Sequence, residues 1–178
     1  MPTGTRTSQD TIDRVWAREV LNFRGNPTVE AEVHLADGSW GRGVAPAGIS
    51  TGSSEARQLL DGDSKRFGGK GALKAVENVR TVLAPALKGM RASRQEEVDG
   101  RLRELDGTLD KGRLGANGIL AVSLATAQAA AASQKLPLFR YLGGDGPFRL
   151  PVPAYDVFQG GEHAEDSVDL QEYLVIPA

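Results

Sequence analysis

The run over residues 118–133, GILAVSLATAQAAAAS, sets the strongest limit on what this chain can become, because it carries Ile119, Leu120, Val122, Leu124 and a train of alanines with almost no polar face. Read at a helical period it is apolar all round, and such a helix has to be covered by the rest of the fold. Asn117 stands where a side chain can cap its first turn. The cover has to come from an element with one apolar face, and residues 28–35 supply it. There Val29, Ala31, Val33 and Leu35 alternate with Thr28, Glu30, Glu32 and His34, the pattern of a half-buried strand.

Strands are expected on either side of that one. An ordered element starts near Ile12 and runs through Val15, Trp16 and Val20 to Leu21, and the turn formers of 22–27 follow it. Asp37-Gly38 is a hairpin signal, and 39–45 returns as a third strand. The opening reads as a three-stranded antiparallel meander with His34 on its surface. Small and hydroxyl-bearing residues fill 46–56, a composition that suits a lid or an anion-holding turn as well as an ordinary connection, and a helix is expected to follow. Gly68-Gly69-Lys70-Gly71 lacks the spacing and the hydroxyl residue of a phosphate loop.

The middle is helical. Leu73, Val76, Arg80, Leu83 and Leu87 follow a 3.6-residue period that Pro85 ends or kinks. Ser93 and Glu96 have the spacing of a capping box ahead of Val98, Leu102 and Leu105. Pro137 opens a last short helix that Gly143-Gly144 stops.

A chain of 178 residues without cysteine can bury a full core but can make neither a disulfide framework nor a thiolate metal site. A net charge of −2 gives no general attraction to nucleic acid or an anionic membrane, and no apolar run is long enough to span a bilayer, so a cytoplasmic protein is expected. The predicted organisation is a disordered N-terminus over 1–11, an α+β domain over 12–143, a linker over 144–150 and a second domain from 151 to 178. That second part holds two strands, near 151–158 and 170–176, and two strands cannot bury their own apolar faces. A domain begun and not finished is the expectation, as in a piece of a longer enzyme.

The groups suited to acid–base chemistry are concentrated in 159–178, QGGEHAEDSVDLQEYLVIPA. Gly160-Gly161 permits a tight backbone excursion immediately before Glu162 and His163, one of two histidines in the chain. Glu165, Asp166 and Asp169 make the loop acidic, and Gln171 and Glu172 stand at the head of an apolar strand. A solvated acidic connection is the bland reading of the same residues.

The segments RGNPTVE at 24–30, GISTGSSE at 48–55, RFGGKG at 66–71, LDGT at 105–108, RLGAN at 113–117, LPLFRYLGG at 136–144 and the closing 159–177 together resemble the enolase family, in that family's order. The resemblance covers the chain from about residue 12. It implies an N-terminal α+β domain, a three-stranded meander followed by helices, and then the first two strands of an incomplete (β/α) barrel. It also implies magnesium-dependent dehydration of 2-phosphoglycerate to phosphoenolpyruvate by a homodimer, acting on a small phosphorylated carboxylic acid without nucleic acid or membrane. By motif, Ser50 resembles a lid serine that ligates Mg2+, with Gly48 and Ile49 beside it in the substrate-closing loop. His163 resembles the substrate-loop histidine, Glu172 a glutamate that assists departure of the hydroxyl, and Gln171 its substrate-site neighbour. The chemistry is consistent, since hydroxide is a poor leaving group that needs an acid, and an enediolate needs positive charge. The family's proton-abstracting lysine and its primary metal carboxylates are expected in barrel strands after Ala178, so the chain alone is expected to be inactive.

Several motif positions depart from the glycolytic pattern. Asn22-Phe23 stands where Asp-Ser is expected, Ala47 and Ile49 where Ser and Ala are expected, and Gln159 and Asp166 where asparagines are expected. These departures fit an enolase-like paralogue acting on a phosphonate analogue. A non-catalytic binding or dimerisation module is the reading from a different class.

Overall fold

A computed structural model describes residues 9–48, 52–164 and 166–177. The chain divides into two compact units, Met1–Ala47 with Ser54–Gly144, and Gly48–Ser53 with Asp145–Ala178.

The first unit opens with the antiparallel sheet β1 (Ile12–Leu21), β2 (Pro27–Leu35) and β3 (Trp40–Val44), in that spatial order. The β1–β2 turn is held by Asn22, whose Oδ1 accepts the amides of Arg24 and Asn26 at 2.9 and 3.1 Å. At the β2–β3 turn Gly38 takes φ +85°, and Asp37 Oδ1 accepts the Ser39 amide at 2.8 Å. The register sets Arg18 against Glu30 on β1–β2 and Arg42 against Glu32 on β2–β3, which keeps the charged side chains on one face of the sheet.

The helices are α1 (Leu73–Asn78), a π turn (Val79–Leu83), α2 (Ala84–Leu87), α3 (Gln95–Asp106), α4 (Ala116–Ser133) and α5 (Leu138–Gly143). Helix α4 lies on β2 and β3, and it comes so close that the two glycines of β3 have no room for a side chain. A Cβ at Gly41 would stand 2.2 Å from the Ala129 nitrogen, and one at Gly43 2.3 Å from the Ala121 oxygen. Val29, Ala31, Val33, Ala121, Val122 and Ala125 form the centre of the core beneath this contact. Among the described residues no helix is long and apolar enough to cross a membrane.

Several local expectations are corrected. The polar face of β2 is not simply exposed: Thr28 and Glu30 are buried, because the Thr28 hydroxyl donates to the Ala45 carbonyl at 2.8 Å and Glu30 is paired with Arg18 and, at 3.7 Å, Arg42. His34 is half-buried, stacked on Trp40 with Nε2 3.2 Å from Glu32. No helix follows directly on residue 56; the first helical turn comes only at Phe67–Gly69, a 3-10 turn. The backbone in between is irregular and takes its partners from elsewhere, with Arg57 N–H donating to Asp110 at 2.6 Å and Asp61 N–H to Gly71 at 2.7 Å. Asn117 lies inside α4 rather than capping it. Gly115 holds the cap position, and the Asn117 amide pairs in both directions with the Leu59 backbone at 3.1 and 3.2 Å.

The Ser93–Glu96 box does not form either, since α3 begins at Gln95 and the Ser93 hydroxyl bonds Asp10. Over 73–87 the π turn just ahead of Pro85 adds a residue to the helical repeat. Such a turn relieves the clash of a proline ring with the carbonyl four residues back. Val76, Leu83 and Leu87 are buried as the period requires, whereas Leu73 is exposed and Val79 takes the core position expected of Arg80, which turns aside to donate to the Ala17 carbonyl at 2.8 Å. Helix α4 is not covered all round, because Leu120 and Leu124, one turn apart, are each 41% exposed.

Asp106 ends α3 as a buried carboxylate that accepts the Leu114 amide at 2.7 Å and the Thr108 amide at 3.0 Å, with the Thr108 hydroxyl as a third donor. Burial works to raise its pKa, but the bonds from Thr108 and Leu114, with Arg113 beyond them, outweigh it and hold the carboxyl below its ordinary value. A carboxylate depressed in the folded state adds stability that is present above the unfolded pKa of about 4 and is lost as pH falls through the folded value. Asp106→Asn offers one acceptor oxygen in place of two and is expected to destabilise the first unit by about 1–3 kcal/mol at neutral pH. In urea unfolding the gap between variant and wild type should narrow at pH 3. An equal gap at both pH values would show that the charge contributes nothing.

Candidate functional site

The second unit contains β4 (Tyr155–Gln159), a 3-10 turn (Gly161–His163) and β5 (Glu172–Val175), with the two strands antiparallel. Gln159 pairs with Glu172, so the strand ends stand side by side and the connection between them folds back over its own start. Gly160 donates to the Gln171 carbonyl at 3.0 Å, Gly161 to Val168 at 2.7 Å, and His163 N–H to Gly160 at 3.1 Å. Both glycines are needed for this path. Gly161 has φ +57°, and a Cβ at Gly160 would stand 2.3 and 2.4 Å from the carbonyl oxygens of Leu170 and Val168.

The folded-back loop brings His163 Nδ1 to 3.9 Å from Glu172 Oε1. That is within ion-pair range and too long for a hydrogen bond. His163 is the more enclosed partner, with 16% of its side chain exposed against 43% for Glu172, and its Nδ1 has no hydrogen-bond partner among the described residues. An enclosed ring nitrogen facing a more open carboxylate can hold or pass a proton once a ligand closes the gap, since catalytic hydrogen bonds commonly tighten only in the complex. Gln171 precedes Glu172 and is exposed.

Of the residues that the sequence brought forward, the structure thus brings together His163 and Glu172, with Gln171 beside them. Gly48 is exposed, and Ile49 and Ser50 lie outside the described residues. The sequence reading gave no part to Val168 and Leu170. Their backbone carbonyls shape the turn, and a carbonyl carries no side-chain signal by which to find it.

Magnesium demands near-octahedral oxygen ligands, usually including one or two carboxylates. Among the described residues no three of the histidine, aspartate and glutamate side chains come together as a metal-holding group. These residues do not form a magnesium cage.

The chain thus holds an α+β unit made of a meander and helices, and after it in sequence an antiparallel strand pair whose connection brings His163 near Glu172. Residues 12–142 match the family model of the enolase N-terminal domain, and residues 147–178 match that of the enolase C-terminal TIM barrel domain. The chain belongs to the enolase family.

Proposed function

We propose that this chain is the N-terminal part of an enolase-type lyase that dehydrates 2-phosphoglycerate to phosphoenolpyruvate. The reading is carried by the approach of His163 to Glu172 at 3.9 Å on a loop that both glycines shape, within a chain of the enolase family. Loss of water from the substrate requires a proton for the departing hydroxide, and Glu172, the more open of the pair, supplies it. His163 holds the substrate end of that proton path, and Gln171 contacts the substrate beside it. Gly48, Ile49 and Ser50 close over the ligand. Magnesium dependence, with Ser50 among the ligands, belongs to the same proposal, and the remaining ligands come from outside the described residues. A homodimeric, cytoplasmic enzyme is the form that family membership supports.

A second reading rests on Ala47, Ile49 and Gln159, where the closing loop and the substrate loop depart from the glycolytic pattern. On that reading the ligand is a phosphonate analogue that leaves room for Ile49. Extra methyl groups in a filled site cost about 1–3 kcal/mol. Ile49→Ala in the full-length protein is therefore expected to improve turnover of 2-phosphoglycerate and impair that of the phosphonate. Both reactions measured with both proteins decide the matter: equal or better 2-phosphoglycerate turnover with Ile49 in place removes the phosphonate reading. No detectable turnover of either substrate would overturn the lyase proposal itself.

A further inference from the structure

The first unit has a cleft of its own, bounded by α3, the start of α4, the residues just before α4 and Ala56, with a volume of about 320 Å³. Ile119 and Leu120 form its apolar floor, and Asp99, Arg103, Lys111 and Ser123 stand around it. The polar groups differ in how far they are already engaged. Gln95 Nε2 donates to Asp99 Oδ1 at 3.0 Å and to Ser123 Oγ at 3.1 Å, which fixes both. Arg103 and Lys111 have no side-chain hydrogen bond or ion pair with any described residue. One carboxylate and two cations leave the rim with a single net positive charge over exposed leucine.

Small-molecule sites are concave, largely apolar and fitted with a few polar groups that fix orientation, and about 300 Å³ is the lower end of their usual size. That size excludes a folded partner's side chains in number but accommodates a compact ligand. We propose that this cleft binds a small amphipathic monoanion, a medium-chain carboxylate whose head is held by Arg103 and Lys111 and whose tail lies on Ile119 and Leu120. An arginine and a lysine favour a carboxylate through charge-assisted hydrogen bonds, and the Ser123 hydroxyl can add a donor. None of its residues belongs to the His163–Glu172 pair or its loop, and Ala56 is its one lining residue from the 46–56 stretch.

The test is a titration of the whole 178-residue chain with octanoate, followed by amide NMR and repeated with octan-1-ol, which has the same tail without the charge. Saturable shifts are expected at Arg103, Lys111, Ile119, Leu120 and Ser123, with weaker binding of the alcohol. Reversing both charges, R103E with K111E, should weaken octanoate binding at least about tenfold, the scale of losing charge-assisted contacts. Neither side chain supports a neighbour, so the fold should survive, and Leu120→Ser removes the floor as a second route to the same loss. Shifts confined to β4 and β5, equal binding of alcohol and acid, or full affinity in the charge-reversed protein would each overturn the proposal.

Discussion

Gly43→Ala is expected to loosen the first unit strongly, as is Gly41→Ala, whose Cβ would come closer still, 2.2 Å from the Ala129 nitrogen. At Gly43 the added Cβ would stand 2.3 Å from the Ala121 carbonyl oxygen, 2.6 Å from the Ala125 nitrogen and 2.8 Å from the Leu124 Cβ. Two of these three are backbone atoms of α4, so no rotamer change relieves the clash and the helix itself has to move. Overpacking a filled site costs about 1–3 kcal/mol where side chains can give way, and here they cannot, so a loss of about 3 kcal/mol or more is expected. That is a large share of the roughly 5–15 kcal/mol that holds a domain together. Both tryptophans, Trp16 and Trp40, lie in the first unit, so urea unfolding followed by tryptophan fluorescence reports on this unit alone. Gly100→Ala is the control. Its Cβ meets nothing within 4 Å, and alanine in a helix interior gains roughly 0.5–1 kcal/mol over glycine. A Gly43→Ala protein as stable as wild type would mean that α4 does not lie on β3 as described.

Glu172→Gln should cost far more in turnover than in binding. If Glu172 protonates the leaving hydroxide, the amide cannot replace it, and turnover in the full-length protein is expected to fall by about two to four orders of magnitude, the usual range for general acid–base help. Glutamine keeps the size and one acceptor, so affinity for the phosphorylated substrate should change little. A loss confined to KM would instead give Glu172 a binding role, and near-normal turnover would remove it from the chemistry. His163 provides a cross-check because the two act as a unit: His163→Gln combined with Glu172→Gln should lose little more than the worse single variant.

The meander was legible because its cues are local. Alternation in β2 and the Asp37-Gly38 turn act within a few residues, and both hold in the sheet. The starts of α3 and α4 were misread because distant residues claimed the capping side chains. Asp10 takes the Ser93 hydroxyl, and Leu59, 58 positions away, takes both ends of the Asn117 amide. Helical periodicity over 73–87 held at Val76, Leu83 and Leu87 and missed at Leu73, which is exposed, and at Arg80, whose guanidinium donates to the Ala17 carbonyl while Val79 fills the core. At the candidate site the glycine pair and the two proton-carrying residues could be read directly. Their approach could not, because it depends on amide-to-carbonyl bonds to Val168 and Gln171.

The irregular backbone after residue 56 also bears on the proposed closing loop. On its upstream side Ala45 is fastened to β2 twice, its N–H donating to Val29 at 2.9 Å and its carbonyl accepting from Thr28 at 2.8 Å. On its downstream side Arg57 donates to Asp110 at 2.6 Å and accepts from Ala116 at 2.9 Å, and Leu59 is clasped by Asn117. Both described flanks of that loop, Ala45 before it and Arg57 to Leu59 after it, are therefore fastened to the first unit by hydrogen bonds to their backbone. The downstream fastening at Leu59 is made to the first turn of α4, the helix that organises the core. Asn117 thus serves two parts of the chain at once, sitting in the first turn of the core helix while holding the backbone at Leu59, so a substitution there is expected to release the irregular segment after residue 56 as well as disturb the helix start.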